Sequence, residues 1–209
     1  QVTLRFRMLE MKTTVRHICI VRLSAIGDVC HALATVQAIQ RTFPEDMITW
    51  IVGQTESKLV ADIPGIRIIV FEKRRGFKAI TAVLRQVEVT FDILLHMQTS
   101  FRANVLAAFI PAHTKLGFPP KLAREFHSLV INETVVMPDR PHVLEAFQHF
   151  AYAIGVPKFE PRWQLLIPKE DYLWIDRKLP KKNPIVVIAP SASNPERNWL
   201  QSRYACVAD

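Results

Sequence analysis

Ser24, Gly27 and Asp28, with His31 three residues on, stand where the apolar segment Ile18-Cys19-Ile20 gives way to a helix-like pattern. A strand that breaks through a glycine turn into a helix leaves backbone N–H groups open beside the positive end of a helix dipole. Such a junction is a ready seat for anionic or oxygen-rich ligands. An aspartate there does one of two jobs: it caps the helix, or it takes a proton from a bound hydroxyl. His31 is likewise either a satisfied helix histidine or a member of the site. A second turn of this kind comes late in the chain, where Ser191, Ser193 and Arg197 follow the apolar run 185–189 and precede Trp199.

The elements that must position these residues alternate in type. Apolar runs predict strands over 18–20, 48–52, 66–71, 91–97 and 114–118, with a further one over 185–189. Three- and four-residue apolar spacing predicts helices over 28–42, 56–62, 76–87, 100–110 and 142–155, and a charged helix over 169–178. Short connections and near-continuous apolar strands point to a parallel sheet covered by helices on both faces. Ligands of such sheets sit at the carboxyl ends of the strands, where the Ser24–Asp28 turn lies. Trp50, Trp163 and Trp174 read as core or interdomain packing.

After Pro157 the texture changes to prolines and charge, ending in Pro180-Lys181-Lys182-Asn183-Pro184. The division this predicts is a leading extension over 1–14, a Rossmann-like domain over 15–160, a connector over 161–183 and the first βα unit of a second domain over 184–209. One strand, a loop and a helix bury no core of their own. The chain is therefore expected to hold one whole domain and the start of another. Met11-Lys12 reads as a natural start.

At 209 residues, 49% hydrophobic and 22% charged, the composition is that of a globular protein. No apolar run reaches the roughly 18–20 residues that span a bilayer. Three cysteines in an odd, scattered set point to reduced thiols and a cytoplasmic setting, and the histidines lack metal-ligand spacing. A net charge of +8 calls for an anionic partner: nucleic acid, acidic lipid or a phosphorylated substrate. Basic clusters stand at Lys73-Arg74-Arg75 with Lys78, at Lys121 with Arg124, and at Lys178 with Lys181-Lys182. Each is either part of that surface or an ordinary solvated loop.

The run Ser24-Ala25-Ile26-Gly27-Asp28-Val29-Cys30-His31-Ala32-Leu33, together with Arg197-Asn198-Trp199, resembles the lipopolysaccharide heptosyltransferases, glycosyltransferase family nine. Weaker matches run through Asp92, Gln98 and Arg102, through Gly117-Phe118, and through His142-Val143-Leu144-Glu145. The resemblance implies a GT-B enzyme whose N-terminal lobe binds the inner core of lipopolysaccharide and whose second lobe, truncated here, binds ADP-heptose. It implies inversion at the anomeric carbon with no metal or cofactor. The work would fall at the cytoplasmic, anionic face of the inner membrane. Asp28 is then the base, and Ser24, Gly27, His31, Gln98, Arg102 and Arg124 form the substrate site, with Ser24 on acceptor or donor oxygens and Gly27 keeping side-chain bulk away from the sugar. Ser191, Ser193 and Arg197 hold the donor, with Arg197 standing where many members carry lysine. A guanidinium suits a departing diphosphate, which it grips through two parallel hydrogen bonds. The piece alone is expected to be inactive.

Two other classes fit the same residues less well. A dinucleotide-binding dehydrogenase needs a G-x-G-x-x-G cradle, and the first turn offers Ser-Ala-Ile-Gly-Asp instead. A nucleic-acid module would interleave aromatics with a continuous basic run, and the clusters here are dispersed.

Overall fold

The central apolar runs become strands because they can bury both faces. β1 (His17–Val21), β2 (Met47–Gly53), β3 (Ile66–Phe71), β4 (Phe91–His96), β5 (Ala112–Gly117) and a two-residue β6 (Glu133–Thr134) form one sheet. The structure, a computed structural model, describes residues 15–179, 184–192 and 195–209. Strand order is β3-β2-β1-β4-β5-β6, and every neighbouring pair is parallel. Five helices accompany it: α1 (Ile26–Thr42), α2 (Ser57–Val60), α3 (Phe77–Leu84), α4 (Phe101–Phe109) and α5 (Val143–Ala153).

Alternation along the strands sorts the core into two layers. Ile18 and Ile20 of β1, with Ile48, Trp50 and Val52 of β2, pack with Val29, Leu33 and Val36 of α1 and Phe147 and Phe150 of α5. Cys19, Val21 and Ile51 point to the other face, where Ile80 and Val83 of α3 and Leu106 of α4 meet them. Helices therefore cover both faces, as a parallel sheet requires. Trp50 is fully buried, a burial worth roughly 2–3 kcal/mol.

The chain divides into two compact units, Gln1–Leu166 and Ile167–Asp209. The second contains α6 (Lys169–Lys178) and α7 (Gln201–Ala208). Two expectations need correction. Residues 185–189 are exposed and take no strand pairing. A strand exists by pairing its N–H and C=O groups, and among the described residues the second unit offers no other strand. α1 begins at Ile26, two residues before Asp28, with Ala25 as its N-cap. The expected extension over 1–14 lies outside the described residues, as do residues 180–183 of the expected connector. Of the three tryptophans read as packed, Trp50 is core, while Trp163 and Trp174 keep about half of their surface exposed.

Candidate active site

The sheet changes direction between β1 and β4: from β1 the chain builds outward through β2 and β3, then returns to place β4 on the other side. A crevice opens at the carboxyl ends of strands where such a reversal occurs. Residues 22–28 leave β1 at that point, and residues 97–100 leave β4 beside them.

Arg22 joins the two exits. Its Nη1 donates to the Met97 carbonyl at 2.7 Å, and its Nη2 donates to the Asp28 carboxylate. The guanidinium also lies 5.3 Å from the centre of the Phe147 ring. The Arg22 side chain is 12% exposed. Burial lowers its pKa, and the neighbouring Asp28 works in the opposite direction. Trp50 Nε1 donates to the Arg22 carbonyl at 3.3 Å, tying the same residue to β2.

Asp28 keeps 34% of its side chain exposed. Its Oδ2 accepts from Arg22 and, at 3.3 Å, from the Ala25 N–H. The second bond is the backward half of a capping box. Asp28 therefore caps and pairs at once, while its Oδ1 accepts no hydrogen bond from a described residue. A carboxylate held by one oxygen and open at the other can meet a ligand hydroxyl without reorganising.

Gln98, buried, secures the turn from the β4 side. Its Oε1 accepts from Leu23 N–H at 2.7 Å and Ser24 N–H at 3.3 Å. Its Nε2 donates to Ser100 Oγ at 2.9 Å and reaches Ser24 Oγ at 3.5 Å. Gly53 closes the β2 side: its N–H donates to the Leu23 carbonyl at 2.9 Å. A Cβ there would collide with the Leu23 carbonyl oxygen and the Glu56 carboxylate. Only a residue without a side chain lets β2 come this close.

Gly27 is exposed in the first turn of α1, with open space where a side chain would stand. His31 is half-buried, with Nδ1 buried and unpartnered among the described residues. Its ring meets that of His142 edge-on at 5.9 Å. His142 caps α5, its Nδ1 accepting from Leu144 N–H at 3.3 Å while Glu145 accepts from its own N–H at 3.4 Å.

Arg102 is exposed in the first turn of α4, and Arg124 is exposed on the loop that follows β5. A buried network, His96–Asn104–His127, holds that loop. Asn104 Nδ2 donates to the carbonyls of Arg124 at 3.2 Å and Glu125 at 2.6 Å, so its Oδ1 faces the histidines as acceptor. His96 Nε2 at 2.8 Å and His127 Nδ1 at 3.0 Å are then the donors. His127 Nε2 accepts from Phe118 N–H at 3.0 Å. Both rings are locked neutral. Burial pushes His96 down to about 3, with the nearby His127 adding to the effect; burial likewise pushes His127 down to about 4.

In the second unit Ser191 and Arg197 are exposed, Arg197 ending a short 3-10 turn, Pro195–Arg197. Asn198 Oδ1 accepts from Ala192 N–H at 2.5 Å and so closes the loop. Ser193 lies outside the described residues.

A family model for glycosyltransferase family 9 (heptosyltransferase) matches residues 80–209, more than half of the chain. The chain belongs to this family. Among curated proteins, one relative is the lipopolysaccharide core heptosyltransferase OpsX of Haemophilus influenzae. It is 45% identical over 195 residues, which cover 93% of this chain and 56% of that protein. The crystal structure of a family 9 glycosyl transferase from Veillonella parvula superposes with a TM-score of 0.73 at 16% identity, over 92% of this chain and 58% of that one. E. coli heptosyltransferase WaaC with ADP superposes with a TM-score of 0.61 at 22% identity, over 69% of this chain and 50% of the other. At those identities the likeness is one of fold. The chain spans little more than half the length of these relatives.

Of the residues the sequence singles out, Ser24, Gly27, Asp28 and Gln98 meet at the reversal of this family 9 sheet, with His31 along α1 and Arg102 and Arg124 on neighbouring exits. Arg22 and Gly53 escaped the sequence reading. The signal for Arg22 was there: a cation directly after an apolar strand needs a counter-charge, and Asp28 is the one carboxylate in that motif.

Proposed function

We propose that the full-length protein is an inverting glycosyltransferase that moves heptose from ADP-heptose to the inner core of lipopolysaccharide, at the cytoplasmic, anionic face of the inner membrane. Family membership and the 45% identity to OpsX support the reaction class. The observation that carries the reading is the Asp28 carboxylate at the sheet reversal, one oxygen held by Arg22 and the other without a hydrogen-bond partner among the described residues.

In the proposed reaction an acceptor hydroxyl oxygen attacks the anomeric carbon of the donor as the bond from that carbon to the diphosphate oxygen breaks. The hydroxyl proton passes to Asp28 Oδ1, and ADP leaves with the bonding electron pair. Arg197, with Ser191 and Ser193, would meet the charge developing on the diphosphate, the preorganised stabilisation that lowers such barriers most. Ser24, Arg102 and Arg124 would orient the acceptor, the arginines facing its phosphates and acidic sugars, while Gln98 would act through the turn it holds. His31 would lie along the acceptor from the first turns of α1. No metal or cofactor enters this scheme.

The test is ADP release by the full-length protein given ADP-heptose and a series of truncated core acceptors. Turnover confined to one acceptor in the series supports the reading and names the heptose added. Turnover with no acceptor in the series, by folded protein, removes it.

A further inference from the structure

Residues 124–127 turn the chain after β5, and the His127 N–H donates to the Arg124 carbonyl at 3.0 Å across the turn. Its two central residues, Glu125 at φ +50 and Phe126 at φ +66, both lie in the left-handed region. Two such residues in succession are the pattern of a type I′ turn, which glycine, asparagine or aspartate normally fills. Glutamate and phenylalanine in that conformation crowd their Cβ against the following carbonyl oxygen. Burial of the ring does not offset this, because Phe126 is 71% exposed.

Polar groups hold the turn instead. Asn104, buried in α4, directs its Nδ2 at the carbonyls of Arg124 at 3.2 Å, Glu125 at 2.6 Å and Thr99 at 3.3 Å. Its Oδ1 accepts from His96 and His127. His127 presses on the end of β5, where a Cβ on Gly117 would stand 2.5 Å from its Nε2. The Glu125 carboxylate accepts from the Phe101 N–H, which seats the turn on the first turn of α4. Backbone strain persists only where surrounding bonds over-determine it, and it gathers at positions that grip ligands. What this turn presents is Arg124, exposed, beside the exposed Arg102 that follows Phe101. Neither arginine forms an ion pair among the described residues.

We propose that Asn104 is a positioning residue for acceptor binding: through the strained turn at residues 124–127 it fixes the backbone from which Arg124 reaches an anionic group of the acceptor. Asn104 touches no substrate itself. An arginine on a free loop surrenders both backbone and rotamer freedom when it grips an anion, and a loop fixed in advance surrenders less. The strain is thus met within the folded protein, and binding need not order the loop. This inference rests on the proposed function, which makes Arg124 an acceptor contact.

The test is a double-mutant cycle in steady-state kinetics of the full-length protein, with ADP-heptose and the core acceptor that the parent uses. Arg124→Gln should raise the acceptor KM roughly 10- to 100-fold. Asn104→Ala should raise it roughly 10-fold, with kcat and the KM for ADP-heptose within about two-fold of the parent. In the Arg124→Gln background, Asn104→Ala should add less than about two-fold, because no guanidinium remains to be placed. Phe126→Val reaches the same turn from the solvent side: a β-branched residue disfavours positive φ, and the acceptor KM should rise roughly 3- to 10-fold. Phe126→Gly, which accepts positive φ, should recover part of the loss in Asn104→Ala. Circular dichroism at the assay temperature checks that each variant is folded, and if Asn104→Ala is not, the same cycle with Phe126→Val decides. Effects that multiply in the double variant overturn the proposal. So does a rise in the KM for ADP-heptose that matches the acceptor's, or parent-like kinetics in folded Asn104→Ala. A parent-like acceptor KM in Arg124→Gln overturns it while leaving the transferase reading in place. A folded parent without turnover on any acceptor removes that reading and this inference with it.

Discussion

Acidification should unfold the first unit through two buried imidazoles, and the size of the effect follows from their bonds. His127 Nε2 accepts from Phe118 N–H and cannot take a proton without losing that bond. His96 Nδ1 is buried with no partner among the described residues, so a proton there would strand a charge. The folded values lie at about 3 for His96 and about 4 for His127, against an ordinary value near 6.5 for an unfolded imidazole. Above pH 6.5 both states are neutral and neither histidine costs anything. Below it the unfolded chain takes up protons that the folded one refuses, so stability falls with pH and continues to fall down to the folded values. At pH 5.5 the two together should cost about 3 kcal/mol relative to pH 7.5. Urea unfolding at the two pH values measures this, and His96→Leu isolates it from carboxylates and the other histidines. That variant should lose about 1 kcal/mol at pH 7.5, from the missing bond to Asn104, and its further loss at pH 5.5 should be smaller than the parent's by about 1.4 kcal/mol. An equal acid loss in parent and variant would refute the reasoning.

Three other outcomes follow from the site. Gly53→Ala should destabilise by about 1–3 kcal/mol in thermal melts, because its Cβ would push the Leu23 carbonyl that supports the turn. Arg22→Met in the full-length protein should lower kcat roughly 10–100-fold, since Asp28 would keep only the Ala25 N–H as an anchor; Arg22→Lys should recover part of it in steady-state kinetics. Asn104→Ala should cost about 2 kcal/mol in urea unfolding, since two imidazole donors and three loop carbonyls lose their partner at once.

Most of the sheet could be read from the chain because its central strands β1, β2 and β4 are apolar runs that only a doubly covered sheet can bury, with the half-exposed β3 and β5 spaced between helix-like segments on either side. β6 could not: Glu133 and Thr134 carry no apolar pattern, and only their pairing with Leu116 and Gly117 makes them a strand. Residues 185–189 show the converse, an apolar run that is not a strand because no described residue pairs with it. The site was legible in part. Asp28 and Ser24 stand in a dense local motif, and Gln98 was reached through the family resemblance. Arg22 stands just ahead of that motif and, beyond its need of a counter-charge, carries no sequence signal of its role, because what fixes it is contact with Met97 and Phe147, far along the chain. The His96–Asn104–His127 network is set by the meeting of β4, α4 and the loop after β5. No sequence spacing announces three such residues.

The central claim is that the Asp28 carboxylate takes the proton from the acceptor hydroxyl. Asp28→Asn in the full-length protein keeps the size of the side chain and an oxygen for the Ala25 N–H, and removes the base. Single-turnover heptose transfer from ADP-heptose to a core acceptor should then fall roughly 100- to 10,000-fold, with donor affinity little changed. Transfer by Asp28→Asn within a few-fold of the parent would contradict the account.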